Sequence, residues 1–387
     1  MKIAVIGLKG LPSRGGYERV AEAIVRRLSN QHEFTVYCGA QYTPPDAVIP
    51  NVRLLRLPTV RGKHVKAFLL AILSAVHAVF LGRYDLIHVH GIETGFVIPL
   101  LRLRYQVVGT IHTQSYTAEK WGRGARLFMR AAERLFINFS SALTCITPVL
   151  MPYYERFRAI SLIPNGVDRD PAVSLDRAKS TLEKHAIPEA DFILFAAARI
   201  IPFKGCHLLL DAFRSLATDC HVVIIGDLDQ MPEYGQHLRS LSDERVHFIP
   251  FIDSQAELMG LIKKCRLFVF PSTNSQGVEG MPMMLLEVAS LGTPLLCSDI
   301  PQNVAVLENH GYYFQSGSSA DLGVKLVWAL EHPAGMREKA RDAQAHVRKN
   351  FLWDNIVLQY NAVFDRTAGS PTTLRLDPLG YDDRGHG

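Results

Sequence analysis

Short apolar segments alternate with segments of helical periodicity along most of this chain. Residues 2–7 form a short, almost wholly apolar segment, a glycine-rich turn follows, and apolar residues recur at helical spacing over 20–28. The same succession begins again at residues 192–197, which precede a helical segment at 206–216. Strands without polar alternation are typical of a parallel sheet that helices cover on both faces. The pattern therefore predicts an α/β protein built from two similar units.

Length and composition agree with this prediction. A chain of 387 residues is too long for one ordinary hydrophobic core, and its 48% hydrophobic and 20% charged residues are ordinary for a globular protein. The six cysteines are scattered without a CxxC pair, so we expect buried, reduced thiols in place of disulfides or a metal site. The formal net charge of +5 is modest and does not indicate a nucleic-acid partner.

The segment 277–287 combines a glycine-rich loop with the start of a helix. Glycines punctuate the loop, and Pro282 suits a first helical turn. The free backbone N–H groups at such a helix start bind anions readily, which predicts a phosphate site. The residues expected to form it are Gly280, Met281, Pro282 and Met283. Glu279 and Glu287 frame the turn and could bind hydroxyls; alternatively they are a solvated loop acid and an acid favoured by the helix dipole.

Arg199 and Lys204 follow the first apolar strand of the second half, and Gly205 stands beside them at a helix start. A planar guanidinium fork and a compact ammonium group would hold a diphosphate from two directions. A solvated arginine–lysine pair is the alternative. The position between a strand and a helix favours a diphosphate clamp.

Polar residues also end two strands of the first half, at 85–91 and 107–115. The carboxyl ends of strands border the ligand crevice in open α/β sheets. We therefore expect His90 to reach the floor of that crevice, although a histidine satisfied by neighbouring backbone is the alternative. The turn at 10–18 lacks the GxGxxG spacing of dinucleotide-binding proteins, which argues against a Rossmann-type oxidoreductase.

These motifs together resemble the retaining glycosyltransferases of family 4, which have the GT-B fold: two Rossmann-like α/β/α domains that face each other across a cleft. The resemblance covers residues 1 to about 366. It rests on the segments at 85–91, 164–168, 199–205 and 277–287. The opening Gly-Leu-Lys-Gly-Leu-Pro and the Lys-Trp-Gly at 120–122 are similar to the rhamnosyltransferase-like branch.

The resemblance implies roles for further residues. Gly15 and Gly16 would face the donor diphosphate across the cleft, and His112 would contact the donor sugar. Glu18 would be either an acceptor contact, together with His90, or a first-turn helix acid. The catalytic set expected from the resemblance is His112, Arg199, Lys204 and Glu279, with Glu287 holding the ribose.

The implied function is transfer of a sugar from a nucleotide-diphosphate sugar to a glycan or lipid-linked glycan, in cell-surface polysaccharide or glycoconjugate biosynthesis. The resemblance implies retention of anomeric configuration without a protein nucleophile. The nucleotide sugar is a substrate, and we expect no cofactor and no metal, since cations take the place of Mg²⁺. One alternative is a non-catalytic protein that binds sugar nucleotides; an oxidoreductase is another.

The predicted domains are an acceptor-binding domain at 1–165 and a nucleotide-sugar-binding domain at 166–350. The resemblance implies that a last helix at 351–366 packs back on the first domain. The composition of 367–387 predicts a disordered tail.

We expect a cytoplasmic protein, since the N-terminus reads as a strand and not as a signal peptide. The apolar segment 67–81 is shorter than the roughly 20 residues that span a bilayer, and we interpret it as a buried helix. The basic, aromatic segment 116–134 is either a solvated helix face or a surface that faces the acceptor or anionic lipids on the inner face of the membrane.

Overall fold

The computed structural model describes residues 1–13, 15–59, 65–118, 121–189, 191–274 and 279–369. Its first sheet has seven parallel strands. They are β1 (Lys2–Ile6), β2 (Glu33–Gly39), β3 (Val52–Leu57), β4 (Leu86–His90), β5 (Gln106–Ile111), β6 (Ala142–Cys145) and β7 (Ser161–Leu162). Their spatial order is β3-β2-β1-β4-β5-β6-β7, so the direction of winding reverses between β1 and β4.

The second sheet has six parallel strands and repeats this winding. They are β8 (Phe192–Arg199), β9 (His221–Asp227), β10 (Val246–Ile249), β11 (Leu267–Phe270), β12 (Leu295–Ser298) and β13 (Tyr313–Phe314). Their order is β10-β9-β8-β11-β12-β13, which places the reversal between β8 and β11. Ligands bind at such reversals, outside the carboxyl ends of the strands.

Helices cover both faces of both sheets. Those that belong to the first half are α1 (Gly16–Leu28), α2 (Val65–Phe80), α3 (Ile98–Leu101), α4 (Arg123–Phe139) and α5 (Met151–Tyr154). The next are α6 (Leu175–Lys184), α7 (Cys206–Arg214), α8 (Pro232–Ser240), α9 (Gln255–Lys264), α10 (Met283–Ser290), α11 (Pro301–Leu307), α12 (Ser319–Glu331), α13 (Pro333–Asn350) and α14 (Trp353–Ala368). Short 3₁₀ helices lie at Ile92–Val97, Ser115–Thr117, Pro148–Leu150, Pro202–Lys204 and Glu308–His310.

Alternate residues of the central strands pack into different apolar layers, one on each face of the sheet. Ile3 and Val5 of β1 pack with α1 and α14, whereas Ala4 and Ile6 pack on the opposite face with α2, α3 and α4. The second sheet divides in the same way between two further buried clusters. Because side chains point alternately to the two faces of a strand and both faces are covered, these strands are mostly apolar and lack a regular polar alternation. The predicted α/β architecture with two helix-covered parallel sheets is confirmed.

Helix α14 packs on the first sheet, although it follows the helices of the second half in sequence. The two segments that connect the halves run side by side: Val167 N–H donates to Phe351 O at 2.8 Å, and Trp353 N–H donates to Val167 O at 3.0 Å. Helix α14 continues to Ala368, two residues beyond the predicted end at 366. The rest of the predicted tail, 370–387, lies outside the described residues.

One expectation about α2 is wrong. The segment is helical, but it is not buried all round: Phe68 is 42% exposed and Phe80 is 71% exposed. Only its inner face, with residues such as Ala71 and Ala75, packs against the first sheet.

Within the described ranges, no helix combines the length and the hydropathy needed to cross a bilayer. All six cysteines are buried and unpaired.

The packing of α14 can be tested with one core substitution and one surface substitution. Phe364 is fully buried in the layer between α14 and the first sheet, whereas Leu358 on the same helix is 58% exposed. We expect Phe364→Ala to lower the free energy of unfolding by about 3–5 kcal/mol, because it leaves a cavity. Leu358→Ala should change it by less than about 0.5 kcal/mol. Urea denaturation of the full chain measures both, and equal effects would contradict this placement of α14.

Candidate functional site

The predicted site residues lie at the carboxyl ends of strands from both sheets. In the first half they follow β1, β4 and β5; in the second half they follow β8 and β11. Gly280 joins the two groups, because a Cβ atom placed on it would lie 2.5 Å from the carbonyl oxygen of His112. Asn165 supports the same contact by donating from Nδ2 to Met281 O at 2.9 Å. The loop before α10 is therefore held against the first half of the chain.

Lys204 and Glu279 form an ion pair inside the second half. Glu279 Oε1 also accepts a hydrogen bond from Ser272 Oγ at 2.9 Å, and the Glu279 residue is only 8% exposed. The turn that carries Lys204 is fixed because Thr273 N–H donates to Phe203 O at 2.7 Å. The structure thus brings together an acid and a base that the sequence assigned to separate motifs.

Gly205 explains the local conformation of this turn. Its φ of 73° lies in the left-handed region, and a Cβ atom there would overlap the backbone carbonyl of Pro271. Glycine is therefore required beside Lys204, both for the backbone conformation and for the close approach of the β11 strand end.

Arg199 lies at the end of β8, after a register shift that pairs it with Asp227. Its side chain is exposed and forms no ion pair with any residue in the described ranges. Its charge nevertheless reaches the first half. Burial raises the pKa of Tyr17 well above its usual value, Glu18 and Glu93 raise it further, and Arg199 opposes them. Arg199 therefore presents an available guanidinium toward the cleft.

Glu287 lies on α10 and has two partners that the sequence did not predict. Arg19, on α1 in the first half, forms an ion pair with it, and Nη1 donates to Glu287 Oε2 at 3.4 Å. Gln255 Nε2, at the start of α9, donates to Glu287 Oε1 at 2.9 Å. A basic residue in the first turn of a helix opposes the helix dipole, and this was the signal in the sequence that could have drawn attention to Arg19. No comparable signal marks Gln255.

The start of α10 differs by one residue from the prediction. Pro282 is the N-cap with an extended backbone (φ −74°, ψ 111°), and the helix begins at Met283. Because the first N–H groups of a helix have no intrahelical acceptor, those from Met283 onward can bind an anion. Gly280 and Met281 belong to the preceding loop, whose earlier residues 275–278 lie outside the described ranges.

Gly15 and Gly16 occupy the start of α1 and differ in their surroundings. Gly15 is the N-cap, and a Cβ atom there would overlap the Glu18 carboxylate. Gly16 is exposed, and a Cβ atom there would meet none of the described residues within 4 Å. The first glycine accommodates Glu18, and the second leaves an open backbone surface at the helix start.

Three histidines form a buried group beneath this surface. His90 Nδ1 and His112 Nε2 share a hydrogen bond of 2.9 Å, and His88 Nε2 is bonded to Thr110 Oγ1 at 2.7 Å. Burial lowers the pKa of His88 and of His112 to about 3, and it lowers that of His90 well below its usual value. The three imidazoles are therefore neutral near pH 7.

His90 is placed differently from the expectation. Its side chain is fully buried, one hydrogen bond behind His112, and does not line the crevice. The reason is that β4 is central in the sheet, so its last side chain lies among His88, His112 and the covering backbone. A direct acceptor contact by this side chain is replaced by a role in holding His112.

Glu18 and Glu93 add negative charge on the side of the first half. Glu18 is 3% exposed, and its Oε1 has no hydrogen-bond partner within the part of the chain that the structure describes. Glu93 accepts a hydrogen bond from Ser115 Oγ at 3.4 Å; burial raises the pKa of its carboxyl, and the Glu18 charge raises it further. Sequence analysis missed Glu93, although it lies three residues after His90. Among the described residues no group of three or more His, Cys, Asp or Glu side chains is arranged to hold a metal ion.

Comparisons with known proteins divide the chain at the same place as the two sheets. Residues 14–171 match the family model described as Glycosyltransferase Family 4, and residues 178–348 match the one described as Glycosyl transferases group 1. The chain is similar to the D-rhamnosyltransferase WbpZ of Pseudomonas aeruginosa, with 28% identity over 229 residues that span 58% of this chain and 57% of that enzyme.

A second relative is the UDP-Gal:alpha-D-GlcNAc-diphosphoundecaprenol alpha-1,3-galactosyltransferase of Escherichia coli, at 23% identity over 80% of this chain and 82% of that enzyme. Among solved structures, Anabaena HepE in complex with UDP-glucose superposes with a TM-score of 0.75 and 18% identity, over 95% of this chain and 100% of that one. Such structural likenesses confirm the predicted fold, with two α/β/α domains facing across a cleft.

The buried histidines predict how stability depends on pH. The folded-state pKa of His88, about 3, lies below its ordinary value of 6.5, so between these values the unfolded chain binds a proton that the folded chain does not. Stability from this group is complete above pH 6.5 and is lost as the pH falls. In His88→Gln, the slope of unfolding free energy against pH, measured by urea denaturation between pH 6 and 5, should be smaller by about 1.4 kcal/mol per pH unit. Above pH 7.5 the two slopes should coincide; identical slopes at pH 5–6 would contradict the prediction.

Proposed function

We propose that this chain, which belongs to the glycosyltransferases with the GT-B fold, transfers a sugar from a nucleotide-diphosphate sugar to a glycan or lipid-linked glycan. The observation that carries the proposal is the arrangement around α10. Its free N–H groups lie between Glu279, paired with Lys204, and Glu287, and its loop is held against the opposite half of the chain. The N–H groups would bind the diphosphate of the donor, and the two acids would bind the hydroxyls of the sugar and the ribose on either side of it.

The leaving diphosphate gains negative charge as the glycosidic bond breaks. Arg199, Lys204 and the N–H groups at the start of α10 would stabilise that charge electrostatically. The open backbone at Gly16, with Gly15 beside it, would face the diphosphate from the first half. The Arg199 guanidinium supports this assignment: it is exposed and has no ion-pair partner among the described residues, so its donors are available to phosphate oxygens.

Two acids and His112 would bind the hydroxyl groups of the donor. In this proposal Glu287 holds the ribose, while Glu279 and His112 hold hydroxyls of the transferred sugar. Glu279 would share its carboxylate between Lys204 and the sugar, so the clamp and the sugar site are coupled. His112 is neutral because burial lowers its pKa to about 3, and a neutral imidazole can accept or donate a hydrogen bond.

The proposed chemistry retains the anomeric configuration by attack of the acceptor on the face from which the diphosphate leaves. The leaving diphosphate would take the acceptor proton, so no protein nucleophile is assigned. The positive charge comes from Arg199, Lys204 and the start of α10, and the scheme therefore uses no metal and no cofactor. The nucleotide sugar enters as a substrate.

We assign acceptor binding to the first half, within the domain at 1–165, and nucleotide-sugar binding to the domain at 166–350. Glu18 is the proposed acceptor contact: its buried Oε1, which no described residue binds, suits a hydroxyl donor, and Glu93 lies close enough to influence it. The E. coli relative uses a UDP-sugar and a lipid diphosphate, and the Pseudomonas relative is a rhamnosyltransferase. UDP-sugars are therefore the first donors to test, followed by rhamnosyl donors, with lipid-linked glycans of polysaccharide biosynthesis as acceptors at the cytoplasmic face of the membrane.

A non-catalytic sugar-nucleotide-binding protein is the competing candidate. Such a protein would bind the donor but would neither transfer nor hydrolyse the sugar. Incubation of the full chain with each nucleotide sugar, followed by mass detection of released or transferred sugar, separates the two. Binding without either product would favour the non-catalytic protein.

The proposed diphosphate clamp and ribose contact predict which substitutions weaken nucleotide binding. With UDP, ADP, GDP and dTDP as probes, we expect calorimetry to identify at least one diphosphate that binds. Lys204→Ala and Glu287→Ala should each weaken it by about 10–100-fold, the effect of one charge-assisted hydrogen bond. Lys179→Ala, at an exposed position of α6, is the matched control and should leave the affinity unchanged. Unaltered binding in both clamp variants would refute the assignment of the site.

A surface on α2 and α4 predicts contact with anionic lipid. Exposed Phe68 and Phe128 pack around Phe96, Leu127 is 72% exposed, and α4 carries several exposed arginines beside them. Apolar residues flanked by basic ones bind the interface of an anionic membrane.

We therefore expect the full chain to sediment with vesicles that contain phosphatidylglycerol. Leu127→Ser should reduce that binding by about tenfold, because one apolar side chain no longer enters the interface. Val324→Ser is the control, because Val324 is 66% exposed on α12 of the second half. Equal binding of all three proteins, or equal binding to neutral vesicles, would exclude this surface.

A further inference from the structure

The ion pair between Arg19 and Glu287 has a consequence for how the donor binds. We propose that Arg19 is a donor-binding residue that exchanges partners: it binds the Glu287 carboxylate, gives that carboxylate up to the ribose, and then binds the donor diphosphate. The inference rests on the proposed function, since it takes Glu287 as the ribose ligand.

The first step is competition for one carboxylate. The Arg19 guanidinium contacts both oxygens of Glu287, Gln255 adds a further donor, and the Glu287 side chain is only 11% exposed. Little of the carboxylate is open to another partner. A ribose that donates its hydroxyls to Glu287 must therefore take positions that the guanidinium occupies.

Of the two residues that donate hydrogen bonds to Glu287, Arg19 and not Gln255 is the one that leaves the carboxylate. Gln255 opens α9, which belongs to the same half as α10, and so moves together with Glu287. Arg19 lies on α1 in the opposite half, and the pair spans 268 positions of the sequence. A contact between halves is the one that changes when a ligand enters between them, whereas Gln255 can stay and orient the carboxylate.

In the second step Arg19 moves to the phosphate site, which lies close to its position beside Glu287. Glu287 lies four residues after Met283, the first residue of α10, which corresponds to about 6 Å along the helix axis. Arg19 lies one turn into α1, where its N–H donates to Gly15 O at 3.1 Å. Arg19 and its partner Glu287 thus each lie about one turn from the start of their helix. In the proposed exchange, rotation of the long Arg19 side chain carries the guanidinium to an anion bound between the two helix starts.

Electrostatics favour the transfer. A cation in the first turn of α1 is opposed by the helix dipole, and Glu287 offsets this opposition. A diphosphate at the same place satisfies the helix start and the guanidinium together, and a planar fork binds phosphate oxygens in pairs. In the second half Lys204 is already paired with Glu279 and Arg199 is the available cation, so Arg19 would add a second available cation, from the first half.

The exchange makes opposite predictions for ligands with and without phosphate. A nucleoside must displace Arg19 from Glu287 and offers it no new anion, so the ion pair weakens nucleoside binding. A nucleoside diphosphate offers that anion, so Arg19 strengthens its binding. Removing the charge of Arg19 should therefore shift the two affinities in opposite directions.

Calorimetry on the full chain tests this with two probes: whichever of UDP, ADP, GDP and dTDP binds the wild type most tightly, and its parent nucleoside. Arg19→Met should bind the nucleoside about three- to tenfold more tightly and the diphosphate about tenfold more weakly. Arg26→Met is the matched control, because Arg26 lies on the same helix and pairs with Glu22; both affinities should stay unchanged. Arg19→Lys keeps the charge without the fork, and it should tighten the nucleoside while weakening the diphosphate by less than the Met variant does.

Three results would overturn the exchange. If Arg19→Met weakens both probes equally, Arg19 has a structural role; if it tightens both, Arg19 only blocks the ribose site. If it weakens the diphosphate and leaves the nucleoside unchanged, Arg19 is a phosphate ligand that does not compete for Glu287. Should Arg19→Met fail to fold, the Lys variant decides the question by the same comparison. A wild-type chain that binds none of the four diphosphates refutes the proposed function itself, and the inference with it.

Discussion

The docking of the loop before α10 against the first half is the contact on which the site depends. Gly280 meets the backbone of His112 so closely that no side chain fits there, and Asn165 holds the next residue through its carbonyl. Because this loop leads directly into α10, its position fixes where the free N–H groups and Glu287 stand relative to the first half. A glycosyltransferase that binds one substrate in each domain needs such a contact, since transfer requires both reacting atoms within about 3–3.5 Å.

Local patterns predicted the elements of the fold because each of them is set by nearby residues. The apolar strands, the glycine turn at Gly205 and the helix start after Pro282 depend on spacing and backbone preference within about ten residues. The burial of α2 was mispredicted for the converse reason. An apolar helix has the same sequence pattern whether its outer face packs against protein or stays exposed. Here the outer face is exposed because no described element covers Phe80.

The partners of the site residues could not be predicted in the same way. The Lys204–Glu279 pair joins positions 75 apart and the Arg19–Glu287 pair joins positions 268 apart, so no local sequence pattern predicts either pairing. The unfavourable position of Arg19 near a helix start marks that residue but not its partner. The sequence supplied the residue types suited to a diphosphate and hydroxyls, but it could not say that each acid is bound by a base. His90 shows the same limit, since its distance from the crevice follows from which strands flank β4.

These pairings change how ligand binding is to be understood at this site. Glu279 and Glu287, the two acids proposed to bind hydroxyls of the donor, each already hold a cation, so donor binding replaces charged contacts and does not simply add new ones. The affinity then depends on the difference between two sets of contacts, and a neutral ligand loses more by the replacement than an anionic one. A diphosphate can accept the released cations, whereas a free sugar or nucleoside cannot. The site would therefore discriminate by phosphate charge before any contact with base or sugar is made, which suits the proposed nucleotide-diphosphate donors.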